Sequence, residues 1–277
     1  MAAATPYTAG FFATYADTSR QAACEILPLV IDLVRPQSAI DVGCGTGVWA
    51  ATLIHLGMAD VMGVDGDYVD RRTLEIPADK FLSWDLEKPL RMSRRFGLVM
   101  SLEVAEHLPQ ASAEMFVASL TSLGDVVLFS AAIPGQGGTH HVNEQWPEYW
   151  AELFARYGFA AVDCIRHRVW NNPAVAGYYA QNALLYVRSD YLSQHPELAR
   201  AAAEKRAPLA IVNPRFYEMR LREARLEGDP SRQSIAVIIS RVLPSIGRTI
   251  LWRLRKRLLA AWTALAGRRV RRKDAAL

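Results

Sequence analysis

The sequence lacks the features that mark secreted, membrane-spanning and zinc-knuckle proteins. It has three cysteines in 277 residues, they lie far apart, and no Cys-x-x-Cys pair is present. This excludes a disulfide framework and a redox dithiol, and it predicts reduced thiols. No uninterrupted apolar run reaches the ~18 residues of a membrane-spanning helix. Residues 1–12 lack the basic start and apolar stretch of a signal peptide. We therefore expect a cytoplasmic protein.

Charge is unevenly distributed along the chain. The formal net charge is +4, but residues 241–277 hold 11 lysines and arginines against one acid, so the rest of the chain is net negative at −6. A mildly acidic body is not expected to bind nucleic acid through its bulk charge. Hydrophobic residues make up 51% of the chain and charged residues 22%, which is the composition of a folded globular protein.

Short apolar runs alternate with helical patterns between residues 38 and 188. Nearly continuous apolar strands separated by helices indicate a mostly parallel sheet with helices on both faces. The predicted fold class is therefore α/β, with a doubly wound, seven-stranded Rossmann-like sheet. Strands are predicted at 39–43, 61–65, 80–84, 96–101, 125–130, 160–169 and 183–187, and helices at 48–56, 111–123 and 146–157.

Helical segments flank this region on both sides. Residues 17–34 have the pattern of an amphipathic helix that ends before Pro36, and residues 189–227 have the pattern of a helix broken near Pro208 and Pro214. The predicted organisation has three parts: an N-terminal helical cap at 1–35, a ligand-binding α/β domain at 36–190 and a helical, basic extension at 191–277.

A last helix is predicted over residues 249–266. Its leucines and Trp262 fall on one face, and Arg253, Lys256 and Arg257 fall opposite. Such a helix can lie on an anionic membrane surface, or it can pack on the α/β domain or on a second subunit. Contact of residues 249–273 with the inner membrane face and formation of a homodimer are therefore both left open.

The most informative segment is the glycine-rich turn at residues 41–47, Asp-Val-Gly-Cys-Gly-Thr-Gly, between the first strand and the first helix of the sheet. Its glycines let the backbone approach a ligand at the carboxyl edge of the sheet. Asp65 ends the second strand, 18 residues after Gly47, where an acid binds ribose hydroxyls. A dinucleotide fingerprint needs a glycine where Val48 stands. The pattern favours a ligand with ribose and no phosphate, such as S-adenosylmethionine (SAM).

Four motifs in order resemble those of the class I SAM-dependent methyltransferases of the type 11/12 branch. The turn ending in Gly47 resembles motif I, residues 63–67 resemble the acidic motif, residues 84–86 the adenine-binding motif, and residues 101–108 the motif after the fourth strand. The resemblance covers roughly residues 10–190. It implies a methyltransferase fold, a SAM cofactor and methyl transfer as the activity.

The resemblance also implies which residues bind SAM. The glycine turn would face its methionyl and ribose parts, Asp65 its ribose hydroxyls, and Asp85 its adenine. Arg20 would pair with its carboxylate, unless Arg20 is a solvated charge on the helix surface. The predicted cofactor-binding residues are Tyr15, Arg20, Asp41, Gly43, Cys44, Gly45, Gly47, Asp65, Gly66, Asp85, Leu86, Leu102 and Glu103.

An alcohol acceptor must lose a proton, and histidine is a suitable base at neutral pH. His140 and His141 lie in the glycine-rich loop 133–146 after the fifth strand, and His107 follows the fourth strand. We predict that His140 or His141 is the general base, with His107 as the third catalytic candidate. For His107 the family resemblance favours a structural role, in which the Glu106–His107 pair shapes the pocket. Alternatively, the loop histidines bond the backbone, or His140, His141 and Glu144 bind a metal. Three adjacent side chains are a weak metal signal, so no metal site is predicted.

The methyl acceptor is left open by the sequence. Aromatic residues at 146–150, 170 and 178–179 suit the walls of a sugar or natural-product pocket, or belong to the core. A likeness of residues 101–187 to bacterial glycan and secondary-metabolite methyltransferases favours a hydroxyl of a saccharide or natural product. The alternatives are N- or C-methylation of a secondary metabolite and a nicotinamide-dependent oxidoreductase. No nucleic-acid partner is expected, because no Asn-Pro-Pro-Tyr-type motif follows the fourth strand.

Overall fold

A seven-stranded sheet organises the chain, of which the computed structural model describes residues 6–204 and 208–228. The strands are β1 (Ser38–Val42), β2 (Asp60–Asp65), β3 (Phe81–Ser83), β4 (Leu98–Leu102), β5 (Val126–Ser130), β6 (Phe159–Val162) and β7 (Leu184–Arg188). Their order is β3-β2-β1-β4-β5-β7-β6. β1 to β5 pair in parallel, whereas β7 runs antiparallel to β5 and β6. The predicted mostly parallel, seven-stranded α/β fold is therefore confirmed.

Helices pack on both faces of this sheet. They are α1 (Ala9–Val34), α2 (Val48–His55), α3 (Ala113–Leu123), α4 (Pro147–Arg156), α5 (Arg166–Val169), α6 (Gly177–Asn182), α7 (Ser189–Gln194), α8 (Pro196–Ala203) and α9 (Pro214–Gly228). In the part of the chain that the structure describes, no helix is both long and apolar enough to cross a bilayer. The predicted helix at 249–266, and with it the membrane contact of 249–273, lies outside the described residues.

Two predicted elements differ from the observed ones. α1 begins at Ala9 rather than at residue 17, because the side chain of Thr8 caps it by accepting a hydrogen bond from the amide of Phe11. The strand predicted at 160–169 is wrong in its second half, since β6 ends at Val162 and α5 follows. The first difference comes from a local capping hydrogen bond, and the second from hydrogen bonds of Arg166 to the distant residues Gln181 and Leu209. The hydrophobic pattern registers neither.

Two apolar cores lie on opposite faces of the sheet. One contains Leu27 of α1 and Tyr179 of α6, and the other contains Phe116 of α3 and Trp150 of α4. The exposed fractions of Trp150 and Tyr179 are 2% and 5%. These two aromatic residues therefore belong to the core.

The chain divides into two compact units, with the boundary after Tyr217. The second unit is described only as far as residue 228, in the continuation of α9. There Arg220 pairs with Glu223 and Arg222 with Glu218, at the spacing of neighbouring side chains on one helix face.

A buried ion pair turns the chain after β6. The side chains of Arg166 and Asp163 are 1% and 7% exposed. The Arg166 guanidinium donates to both carboxylate oxygens of Asp163, at 3.0 and 2.6 Å, and to the carbonyl oxygens of Gln181 and Leu209, at 3.1 and 2.7 Å. One side chain thus fastens α5, α6 and the segment before α9 to each other.

We expect Arg166→Ala to lower the free energy of unfolding by about 3–5 kcal/mol, because it leaves the Asp163 carboxylate buried without its partner. Urea denaturation measures the loss. Arg156→Ala is the matched control, since the Arg156–Glu114 pair is exposed and contributes less than ~1 kcal/mol. Equal losses in the two variants would contradict this account of the Arg166 pair.

Candidate functional site

The site lies where the strand order reverses, between β1 and β4 at the carboxyl edge of the sheet. The turn after β1 is held by β2, since the amides of Gly43 and Cys44 both donate to the carbonyl oxygen of Val64, at 2.8 and 3.1 Å. Gly43, Gly45 and Gly47 all have positive φ, at 83°, 56° and 87°. Side chains are disfavoured in this backbone region, which explains the three glycines of the turn.

Asp65, the last residue of β2, is joined directly to this turn. Its carboxylate accepts hydrogen bonds from the amides of Gly45 and Gly66, at 2.6 and 2.7 Å, and from the hydroxyl of Tyr68. Burial raises the pKa of Asp65, and these three hydrogen bonds lower it. Asp65 therefore lies beside the glycine turn, as the sequence predicts. Its Oδ1 already accepts two hydrogen bonds, from the Gly66 amide and the Tyr68 hydroxyl.

Asp41 and Cys44, two further residues of this glycine-rich segment, are buried. Burial, and after it the charge of Asp65, raises the pKa of Asp41 to about 7, and its Oδ2 has no hydrogen-bond partner. Burial likewise raises the pKa of the Cys44 thiol. A Cβ atom on Gly63 would lie 2.8 Å from the Cys44 sulfur, so this side chain packs tightly against β2. Asp41 and Cys44 are therefore buried side chains that support the turn.

The first turns of α1 pack over the glycine turn. A Cβ atom on Gly45 would lie 2.9 Å from the ring of Phe12, and the ring of Tyr7 lies 5.2 Å from that of Tyr68. Arg20 forms an ion pair with Glu75 at 2.6 Å. Tyr15 and Arg20 of α1 were predicted to lie at the site, but Tyr7 and Phe12 were not. No spacing rule links these two residues to a turn farther along the chain.

Tyr15 also lies on α1, with its ring 5.1 Å from that of Phe11. At the far end of the site, Asp85 is exposed and pairs with Lys88 at 3.0 Å, and this hydrogen bond lowers the pKa of Asp85. Leu86 is buried. The amide of Trp84 donates to the carbonyl oxygen of Asp65 at 2.7 Å. This hydrogen bond holds the end of β3 next to Asp65. The Asp85 side chain itself pairs with Lys88.

On the other side of the turn, the chain leaves β4 through buried Leu102 and through Glu103, which has a positive φ of 54°. The Glu103 carboxylate accepts hydrogen bonds from the side-chain amides of Gln136 and Asn182, at 2.6 and 3.2 Å. Burial raises the pKa of Glu103, and these hydrogen bonds oppose the shift. Glu103 is therefore held in one position, facing the loop that follows β5.

Two of the three predicted histidines come together. The rings of His107 and His141 meet edge to face, with centroids 4.9 Å apart. Nδ1 of His141 lies 2.9 Å from the Glu144 carboxylate. Burial and the nearby His141 lower the pKa of His107 to about 4, so His107 is neutral at pH 7. His140 is exposed, with a φ of 60°. Its backbone bonds the His107 side chain, and its ring, like that of His107, contacts the ring of Tyr7.

Glu106, expected to shape the pocket with His107 but not named as a site residue, is fully buried and lies close to His107 and His141. Its carbonyl oxygen accepts hydrogen bonds from the amides of Val142 and Asn143, at 2.9 and 3.0 Å, which hold the histidine loop. The Glu144 carboxylate, which contacts His141, also accepts hydrogen bonds from the amides of Gly135 and Gly137 and so holds the loop together. The spacing Glu-x-x-Glu-His at 103–107 was the signal available for finding Glu106.

Gly43 is constrained by both backbone and neighbour. A Cβ atom there would lie 2.4 and 2.5 Å from the γ carbons of Val104. We expect Gly43→Ala to lower the free energy of unfolding by roughly 2–5 kcal/mol, the sum of a left-handed alanine and an overpacked contact. Gly57→Ala is the control, since Gly57 also has a positive φ but a Cβ atom there meets nothing within 4 Å. Its loss should stay near ~1–2 kcal/mol. Urea denaturation that ranks the two variants in the opposite order would refute the Val104 contact.

The chain matches no protein-family model and no curated protein sequence. Solved structures do resemble it. The sugar N-methyltransferase KedS8 from Streptoalloteichus is 15% identical over 68% of this chain and 95% of its own, with a TM-score of 0.51. DesVI from Streptomyces venezuelae is 17% identical over 65% of this chain and 97% of its own, with a TM-score of 0.45.

A third similar structure is the magnesium protoporphyrin IX methyltransferase ChlM from Synechocystis, solved with bound SAM. It is 19% identical over 62% of this chain and 80% of its own, with a TM-score of 0.45. At these identities a likeness concerns the fold, and the comparison with KedS8 is the one that carries it. The seven-stranded sheet with its antiparallel β7 therefore gives this chain the Rossmann-like fold of the class I methyltransferases.

Proposed function

We propose that this protein is a SAM-dependent methyltransferase that acts on a hydroxyl group of a small molecule. The observation that carries the proposal is the bond between the Asp65 carboxylate and the Gly45 amide, at 2.6 Å. It brings an acid and a glycine turn together at the point where the strand order reverses, which is the ligand-binding position of such sheets. In this proposal Asp65 receives the ribose hydroxyls, and Tyr68 moves away from Oδ1 to admit them.

The turn suits an adenosyl sulfonium better than a dinucleotide. α2 begins at Val48 directly after Gly47 and lacks the third glycine that brings a pyrophosphate to a helix N-terminus. The charges around the turn are acidic, with Asp41 and Asp65 both buried beside it. Acidic groups favour a cationic ligand such as a sulfonium and disfavour a phosphate. The solved structure of ChlM with bound SAM gives the proposal further support.

The acceptor would enter on the side of His107 and His141. Methyl transfer from a sulfonium is an in-line displacement, in which alignment of the two reactants supplies much of the acceleration. An alcohol must also lose its proton, and these two side chains are the titratable groups that β4 and the loop after β5 bring together. A sugar or natural-product hydroxyl is the acceptor class that we favour.

The cofactor assignment predicts that SAM and S-adenosylhomocysteine raise the melting temperature of the wild-type protein and that NAD and NADP do not. Asp65→Ala should weaken SAM binding by roughly 100-fold, because hydrogen bonds to a charged group contribute about 1.5–3 kcal/mol each. Isothermal titration calorimetry measures this affinity.

Asp60→Ala is the matched control for Asp65→Ala, since Asp60 begins the same strand and pairs with Arg94 on the surface. Its SAM affinity should equal that of the wild type. Far-UV circular dichroism establishes that each variant is folded. Stabilisation by NAD, or SAM affinities that do not differ between the two variants, would overturn the cofactor assignment.

Mass spectrometry of small-molecule libraries incubated with protein and SAM identifies the acceptor by the gain of one methylene mass. With that acceptor, His107→Ala and His141→Ala should each lower turnover at saturating SAM by about 10²- to 10⁴-fold, with SAM affinity unchanged. His55→Ala, which removes an exposed histidine from α2, should turn over like the wild type. Full turnover in both site variants would show that the acceptor needs no proton removed there, as expected for an N- or C-methyltransferase.

A further inference from the structure

Glu106, His107 and His141 form a compact cluster of metal-ligating side chains. Glu106 and His107 lie in the short 3-10 turn after β4, and His141 lies in the loop after β5. One ligand atom from each of the three lies within 4.8 Å of the other two. Side chains that bind a common cation at 2.0–2.2 Å are separated by about 3–4 Å, so a small rotation of each completes the geometry.

The buried polar atoms of this cluster are unsatisfied. Glu106 is fully buried, and neither oxygen of its carboxylate has a hydrogen-bond partner; Nδ1 of His107 has none either. A buried polar atom without a partner costs about 1–3 kcal/mol, and more if it is charged. A cation bound between Glu106 and His107 would give these atoms the partner that they lack.

Two acidic side chains lie at the same place. Burial, and after it the charge of the adjacent Glu103 carboxylate, raises the pKa of Glu106 well above its usual range. Within the described residues, no lysine or arginine pairs with either carboxylate. Two adjacent buried acids require a counter-charge or a proton, and a cation between Glu106 and the histidines would supply the charge.

His141 is oriented as a ligand. Because a carboxylate only accepts hydrogen bonds, the nitrogen beside Glu144 is the one that carries the proton, which leaves Nε2 with its lone pair. An imidazole whose second nitrogen donates to a carboxylate is the usual arrangement around protein-bound metals. A Cβ atom on Gly138 would lie 2.2 Å from Nε2, so only a glycine leaves room for the His141 ring in this position.

We propose that Glu106, His107 and His141, with Glu103 beside them, bind a divalent transition-metal cation such as Mn²⁺, Co²⁺ or Zn²⁺. Two imidazoles with carboxylate oxygens favour these ions over Mg²⁺ and Ca²⁺, which prefer oxygen ligands throughout. Glu144 is a positioning residue in this proposal, since it acts through His141.

Binding of the cation does not depend on the proposed function, but its use does. If the protein methylates a hydroxyl group, the cation would bind the acceptor oxygen and lower its pKa. The hydroxyl proton then leaves to solvent, the oxygen forms its bond to the methyl carbon, and the carbon–sulfur bond breaks with its electron pair on sulfur. His107 and His141 would hold the cation rather than take the proton themselves.

The test is titration of the full-length protein with CoCl₂ after treatment with EDTA and dialysis. We expect one Co²⁺ per chain by calorimetry, visible d–d absorption typical of nitrogen and oxygen ligands, and a rise in melting temperature. Mn²⁺ should compete for the site and Mg²⁺ should not.

The variants separate a built site from adventitious binding. Glu106→Gln and His141→Ala should weaken Co²⁺ binding at least about 100-fold, and Glu144→Gln about 10- to 100-fold, while His55→Ala binds like the wild type. A wild-type protein that binds no Co²⁺, or site variants that bind it as the wild type does, would refute the metal site. SAM affinity is measured on the same metal-free samples, so a failed cation test leaves the cofactor result intact, and a failed cofactor test leaves the cation result intact.

Discussion

The contact between the Asp65 carboxylate and the Gly45 amide is the constraint on which the rest of the site depends. It ties the end of β2 to the turn after β1 and so fixes how far the glycines stand from the sheet. A buried carboxylate is stable there only because backbone amides and Tyr68 offset its desolvation. The acid that a ribose would need is therefore also the residue that shapes the turn.

The sheet could be read from the sequence because its signal is local. Apolar runs of five or six residues between helical patterns placed six of the seven strands, and a longer run included β6. The glycine turn and Asp65 followed from their positions at strand ends. What could not be read depends on partners distant in sequence. Arg166 of α5 donates hydrogen bonds to the carbonyl oxygens of Gln181 and Leu209. No pattern within residues 160–169 predicts these bonds.

The candidate site divides in the same way. Asp65, Glu103 and the histidines lie at or just after strand ends. Phe12 reaches the site from α1, whose start depends on the cap at Thr8, and Tyr7 reaches it from the segment before that cap. Spacing alone could not distinguish His140 from His141 as the catalytic candidate. The structure distinguishes them through Glu144, which engages His141 and leaves His140 exposed.

The position of Phe12 against Gly45 has a kinetic consequence. A molecule that approaches Gly45 from the side facing α1 can reach the backbone only after the aromatic ring has withdrawn. The observed dissociation constant is then the intrinsic one divided by the fraction of molecules in which the ring is displaced. The rate at which a ligand associates from that side is lowered by the same fraction, so the packing of the first turn of α1 controls access to the glycine turn.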